Sequence, residues 1–222
     1  MKSFFRSSIG RKVAMALSGV FLIVFLTQHF LINITSVFSE DIFNMLSHFM
    51  GNNPIVQFIL QPVLIAGVLF HFIMGFVLEW QNRKARPVMY AMYKGSRNSM
   101  FVSRNMIISG IVILSFLALH FYDFWVPEMD YKYVQSLPED PNRYYEELIH
   151  KFENPIRVGI YCLSFVFLSL HLVHGLSSST QSLGTNNKYA IIIKKISYVF
   201  GVGIPIGFCF IALFHYFNIY NT

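Results

Sequence analysis

Imidazole is the side chain best suited to hold a metal ion or move a proton near neutral pH, and this chain carries eight histidines, several of them inside long apolar runs. Two of those runs say nearly the same thing. Ser18 to Phe30 reads SGVFLIVFLTQHF and Ser109 to Phe121 reads SGIVILSFLALHF, so His29 and His120 occupy matched positions of a repeated unit. A shorter echo links LFHFIMGF, in which His71 is followed by Gly75, with SLHLVHGL, in which His171 is followed by Gly175. Four histidines matched two by two point to paired haem ligands. Two imidazoles facing each other across an iron fill both axial positions, which suits electron transfer rather than oxygen activation.

The elements that must position these side chains are membrane helices. Hydrophobic residues make up 55% of the 222, aromatics 17% and charged residues only 13%, about half the charged share of a soluble domain. Apolar stretches of spanning length, about 20 residues each, fall near 13–38, 55–80, 105–127, 156–180 and 196–218. None alternates with period two, so they predict helices, which satisfy their own backbone groups in lipid. The expected fold is an all-α integral membrane protein, a single membrane domain over 1–222 with five transmembrane helices in a haem-binding bundle. The first stretch is too long, and too poor in a small-residue cleavage site, to favour a removed signal peptide. Cys162 and Cys209 stand alone in separate spans and no CxxCH motif occurs, so haem would be held without thioether links.

Lys and Arg in short loops mark the cytoplasmic side of a membrane protein. Most of the 17 basic residues precede the first span (Lys2, Arg6, Arg11, Lys12) or join spans two and three (Arg83, Lys84, Arg86, Lys94, Arg97, Arg104) and four and five (Lys188, Lys194, Lys195). The acids gather in the 39–54 and 128–155 connections, among them Glu40, Asp41, Glu128, Asp130, Glu146, Glu147 and Glu153. This predicts a cytoplasmic N-terminus and an outer C-terminus. The net charge of +6 then flanks spans and faces anionic lipid, or docks a cytoplasmic partner through the 81–104 loop with Tyr90 and Tyr93. It does not form a nucleic-acid groove.

Depth tests the haem reading without any resemblance. At helical rise, His29 lies about 25 Å from Lys12 and His120 about 24 Å from Arg104, whereas His71 lies about 18 Å from Arg83 and His171 about 15 Å from Gln181. The first two share an outer layer and the second two an inner layer, so the expected pairs are His29 with His120 and His71 with His171. His174, a turn from His171, is the rival on that helix and is assigned to a propionate, a quinone or the helix interface. His215, His48 and His150 read as solvated or interfacial. Gly75 and Gly175, each one turn past a proposed ligand, leave room for a macrocycle or a neighbouring helix, and Ser18-Gly19 and Ser109-Gly110 are open to the same two readings.

With FLTQHFLIN around His29, FNMLSHFMGNNP before the second span, LFHFIMG around His71, His120 on the third and HLVHG around His171, most of the chain resembles the single-subunit, five-helix, dihaem cytochrome b anchor of bacterial succinate dehydrogenases and fumarate reductases. The resemblance implies two haem b groups, the proximal on His71 and His171 and the distal on His29 and His120. It implies flavoprotein and iron–sulfur partner subunits on the cytoplasmic face, a quinone such as menaquinone in the membrane, and a place in the bacterial cytoplasmic membrane. Succinate and fumarate chemistry would belong to the partners, since the chain has no dinucleotide-binding glycine fingerprint and too few cysteines for a cluster. Asn33, Glu40, Asp41, Asn44, His48 and Asp123 are the outer polar groups open to a quinone, with Asp123 read as a solvated helix-end acid. The competing readings are a dihaem subunit of another oxidoreductase, such as a hydrogenase, and a haem-free transporter with buried histidines.

Overall fold

The computed structural model describes residues 7–84, 106–184 and 190–219. The basic stretch from Arg86 to Arg104 with Tyr90 and Tyr93, together with Lys2, Arg6 and Lys188, lies outside the described residues. Every regular element among those described is helical, and five helices are long and apolar enough to cross a membrane: Ser8–Val37, Val56–Lys84, Met106–Val134, Pro155–Ser182 and Ile191–Asn218.

In chain order, α1 is Ser8–Ile34 and α2 is Glu40–Asn52. A wide π turn, Val56–Leu60, runs directly into α3, Gln61–Lys84. The third span starts as α4, Met106–His120, and continues through a π turn at Phe121–Trp125, a short helical turn and a second π turn at Asp130–Val134. Then come α5, Arg143–Phe152, α6, Pro155–Ser182, and α7, Ala190–Ile219. The starts are encoded locally. Ser7 accepts from Gly10 N at 2.9 Å, and Ser39 accepts from Ile42 N at 3.3 Å with Glu40 and Asp41 beside the positive end of α2. Asn154 accepts from the amides of Ile156 and Arg157, with Pro155 pre-set for the first helical position.

The acid-bearing connections thus contain two further helices, α2 and α5, and the third span runs past residue 127 to Val134. Both short helices are at one end of the bundle, called here the far end, opposite Ser8. There Phe43, Leu148 and Phe152 join Val158, Tyr161 and Phe165 of α6 and Ile204, Phe208, Ile211 and Ala212 of α7 in one buried cluster. Helix α6 is central: it packs on α1 and α4 and most extensively on α7. The last contact is close because of a glycine. A Cβ at Gly201 would stand 2.8 Å from the backbone nitrogen of Val173, so only the missing side chain allows this approach.

Charged groups lock the far end. Glu128 takes Lys132 at 2.5 Å, the Arg143 guanidinium and the Tyr144 hydroxyl at 2.8 Å, while Lys132 also reaches the Gly51 carbonyl at 2.7 Å. Burial opposes the Arg143 charge, but the hydrogen bond and charge of Glu128 outweigh it and raise the guanidinium above its usual range. Burial, reinforced by Glu128, raises the Tyr144 phenol. Thus α2, the end of the third span and α5 meet at one carboxylate. Deeper, Asp123, read from sequence as solvated, is 1% exposed. It pairs with Arg157 and accepts from Tyr161 Oη at 2.8 Å, because α6 lies against α4 and supplies both partners.

Candidate functional site

The structure brings the four histidines together in the two pairs that depth predicts. His29 of α1 and His120 of α4 have ring centres 5.7 Å apart and planes at 85°. His71 of α3 and His171 of α6 have ring centres 6.3 Å apart and planes at 67°. Metal–imidazole bonds of about 2 Å on opposite sides of one ion place two ring centres roughly 6 Å apart, so both spacings match those of two imidazoles that would hold one ion between them. Among the described residues no three His, Cys, Asp or Glu side chains gather as a metal site. Two axial imidazoles suffice where a macrocycle supplies the other four nitrogens.

The inner pair is held by the repeat itself. Ser18 Oγ donates to the Met15 carbonyl at 2.8 Å and lies 2.9 Å from His71 Nδ1. Ser109 Oγ donates to the Met106 carbonyl at 2.9 Å and lies 3.2 Å from His171 Nδ1. A hydroxyl has one proton. With it committed to the carbonyl, each serine can only accept from Nδ1–H, which leaves the Nε2 lone pair of both histidines free to bind a metal. The repeated unit is therefore Met-x-x-Ser-Gly as well as the terminal histidine, and each copy serves both layers: its serine holds an inner histidine and its histidine belongs to the outer pair. Eleven residues separate the two in each copy, so the layers lie about 16 Å apart along the helices.

The outer pair sits among aromatic rings. Phe25 stacks on His29 at 5.6 Å, Phe116 on His120 at 5.8 Å, and Phe208 and Tyr161 close the sides. His120 Nδ1 is buried without a hydrogen-bond partner. Beside His29 lies Asn33, whose amide bonds the His29 carbonyl at 2.8 Å and approaches the ring nitrogens only to 3.4 Å.

The echoed glycines leave open space at the level of the inner pair. A Cβ at Gly110 or Gly175 would meet nothing within 4 Å, and one at Gly75 would meet only the end of the Met15 side chain. Of the two readings of Gly75 and Gly175, a close helix approach is thus not what is found. Gly19 is different, since a Cβ there would touch Ser179 Oγ at 3.4 Å and His71 Cε1 at 3.5 Å.

Sequence reasoning missed three features. His215 is not solvated: it is 1% exposed, with Ser36 Oγ 2.9 Å from Nε2 and Tyr145 against its ring. Cys162 and Cys209 are not remote, since Cys209 Sγ lies 3.8 Å from the Cys162 carbonyl. The inner serines were legible only as parts of a repeat. His48 reaches the carbonyls of Asp140 and Pro141 and His150 sits 3.2 Å from Glu153, both at the far-end surface as expected. Asn44 is buried and accepts from the Tyr145 amide. Comparison with protein-family models, with curated proteins and with solved structures gives no match.

Proposed function

We propose that this chain is the dihaem cytochrome b anchor of a succinate:quinone oxidoreductase in a bacterial cytoplasmic membrane. It would carry electrons between flavin and iron–sulfur partner subunits and a membrane quinone. The single observation that supports the reading most is the presence of two histidine pairs at metal-bridging distance in two layers of one bundle. A transporter needs no such matched pairs, and a hydrogenase-type subunit usually draws its ligands from a different set of helices.

Haem, when bound, supplies a reversible one-electron iron centre. The chain's own residues do the rest. His71 and His171 present Nε2 because Ser18 and Ser109 hold Nδ1–H. His29 and His120 sit in a sleeve of Phe25, Phe116, Phe208 and Tyr161 that excludes water. The near end, where the basic residues cluster, faces the cytoplasm in this reading and receives the partner subunits. The acidic far end faces outward.

A pyridine haemochrome count with a reduced-minus-oxidised spectrum on the purified chain tests this. Two b-type haems per chain with low-spin bands are expected, and co-purifying flavin and iron–sulfur subunits identify the complex. A folded, colourless chain purified under conditions that retain haem overturns the reading.

The serines give a second expectation. Loss of a hydrogen bond that orients a metal-bound imidazole costs about 10–100-fold in metal affinity. Ser18→Ala with Ser109→Ala should therefore release one of the two haems to an acceptor such as apomyoglobin at least about tenfold more readily, leaving the other unchanged. Equal release of both would mean that the hydroxyls do not act on the inner pair.

A further inference from the structure

Cys162 of α6 and Cys209 of α7 are the chain's two cysteines, and the close packing of the last two spans brings them together from 47 positions apart. The Cys209 thiol donates across the seam to the Cys162 carbonyl, with Sγ 3.8 Å from the oxygen. The two thiols also lie within hydrogen-bonding reach of each other. Both are free rather than joined as a disulfide.

The pair stands inside the apolar layer. At helical rise Cys162 lies about 10 Å along α6 from Pro155, and Cys209 about 15 Å along α7 from Ile219. Both side chains are half-buried against the aromatic core around Phe165 and Phe208. Their sequence neighbours Leu163 and Phe210 are exposed, so the seam opens toward lipid at this level.

These surroundings decide which chemistry the pair can do. A thiolate in hydrocarbon is a costly unpaired charge. Arg157, the nearest basic residue along α6, is taken by Asp123, and among the described residues the one titratable group acting on each thiol is the other thiol. A fitting ligand must therefore accept two sulfurs, carry away both protons and leave no net charge. Copper(I) between two thiolates would leave a negative charge. Zinc requires a tetrahedral ligand set, and no third His, Cys, Asp or Glu gathers here among the described residues. Mercury(II) gives a neutral product but holds its sulfurs on opposite sides in a line, farther apart than two thiols in hydrogen-bonding reach. Pyramidal arsenic(III) bearing one organic group is neutral with two thiolates and holds them side by side.

We propose that Cys162 and Cys209 form a dithiol site for lipid-soluble organic arsenic(III). Two As–S bonds form and two As–OH bonds break. Each thiol proton leaves with a hydroxyl as water, and the arsenic keeps its oxidation state. The product bridges α6 to α7.

The test treats the full-length chain in lipid nanodiscs with phenylarsine oxide, which hydrates to the dihydroxy form, and weighs the intact chain by mass spectrometry. One adduct per chain is expected, resistant to excess monothiol and removed by the dithiol dimercaprol. Cys162→Ser and Cys209→Ser should each weaken retention at least about hundredfold, because the first sulfur bound holds the second at high effective concentration. No adduct on the parent chain, or equal retention in either variant, overturns the proposal.

A second readout uses the parent chain alone and so does not depend on how the variants fold. After treatment the chain is unfolded in SDS and alkylated with a maleimide. A bridged chain should take no maleimide, whereas labelling of one cysteine would mean a single-thiol adduct and overturn the dithiol site. A ring-sulfonated arsenical, which stays in water, should leave both thiols free. Its capture at the same rate would overturn the approach from lipid.

Discussion

On the proposed dihaem reading, His171→Ala should lower haem content from two per chain to one, and the haem lost should be the one paired with His71. The expectation follows from geometry: the His171 ring centre is 6.3 Å from that of His71 and its Nδ1 is held by Ser109, while the outer pair uses no residue within two turns of it. His174→Ala is the control, because no ring contact joins His174 to His71, and it should keep both haems. His120→Ala should remove the other haem and leave the inner one. Redox titration of the α-band in each variant reads these outcomes separately. If His174→Ala lost a haem while His171→Ala kept two, the assignment on α6 would be reversed.

The second large effect is structural. Asp123 has no exposed side-chain surface and pairs with Arg157, and Tyr161 donates to its other oxygen. Asp123→Leu leaves a guanidinium, 28% exposed, without its counter-charge deep between α4 and α6. Breaking a buried pair from one side costs about 3 kcal/mol or more, so thermal unfolding in detergent should shift down by several degrees. Asp123→Leu with Arg157→Met should recover much of the loss, because an apolar pair avoids the desolvation penalty on both partners. Tyr161 also flanks His120, so on the proposed dihaem reading the single variant should loosen the outer haem before the inner. An unchanged midpoint in the single variant would show that water or lipid headgroups already solvate Arg157.

The histidines illustrate what a sequence carries in a membrane protein. A spanning helix has a fixed rise, so position along the chain is depth in the bilayer, and His29, His71, His120 and His171 could be sorted into layers before any helix was placed beside another. The repeated Ser-Gly was visible too, but its meaning was not. Ser18 and Ser109 act on histidines 53 and 62 positions away, and only the packing of α1 on α3 and of α4 on α6 makes those neighbours. Asp123, read as solvated, and His215, read as solvated or interfacial, are enclosed for the same reason: α6 covers the first, and Ser36 with Tyr145 of α5 encloses the second. The spans were found to within a few residues at most ends, because apolar length is a local property. Helices α2 and α5 were missed because their cores face the bundle rather than lipid.

The sequence by itself determined the class, the number and course of the spans, and the depth of each imidazole, since composition and helical rise require no knowledge of neighbours. Tertiary structure alone decided which helices touch and which way each face points. That placed a serine on each inner histidine, Arg157 against Asp123, and Cys209 against Cys162. Depth is set by the chain's one-dimensional order, but rotation about each helix axis is settled by close packing, where glycines such as Gly201 permit contact and bulky side chains refuse it.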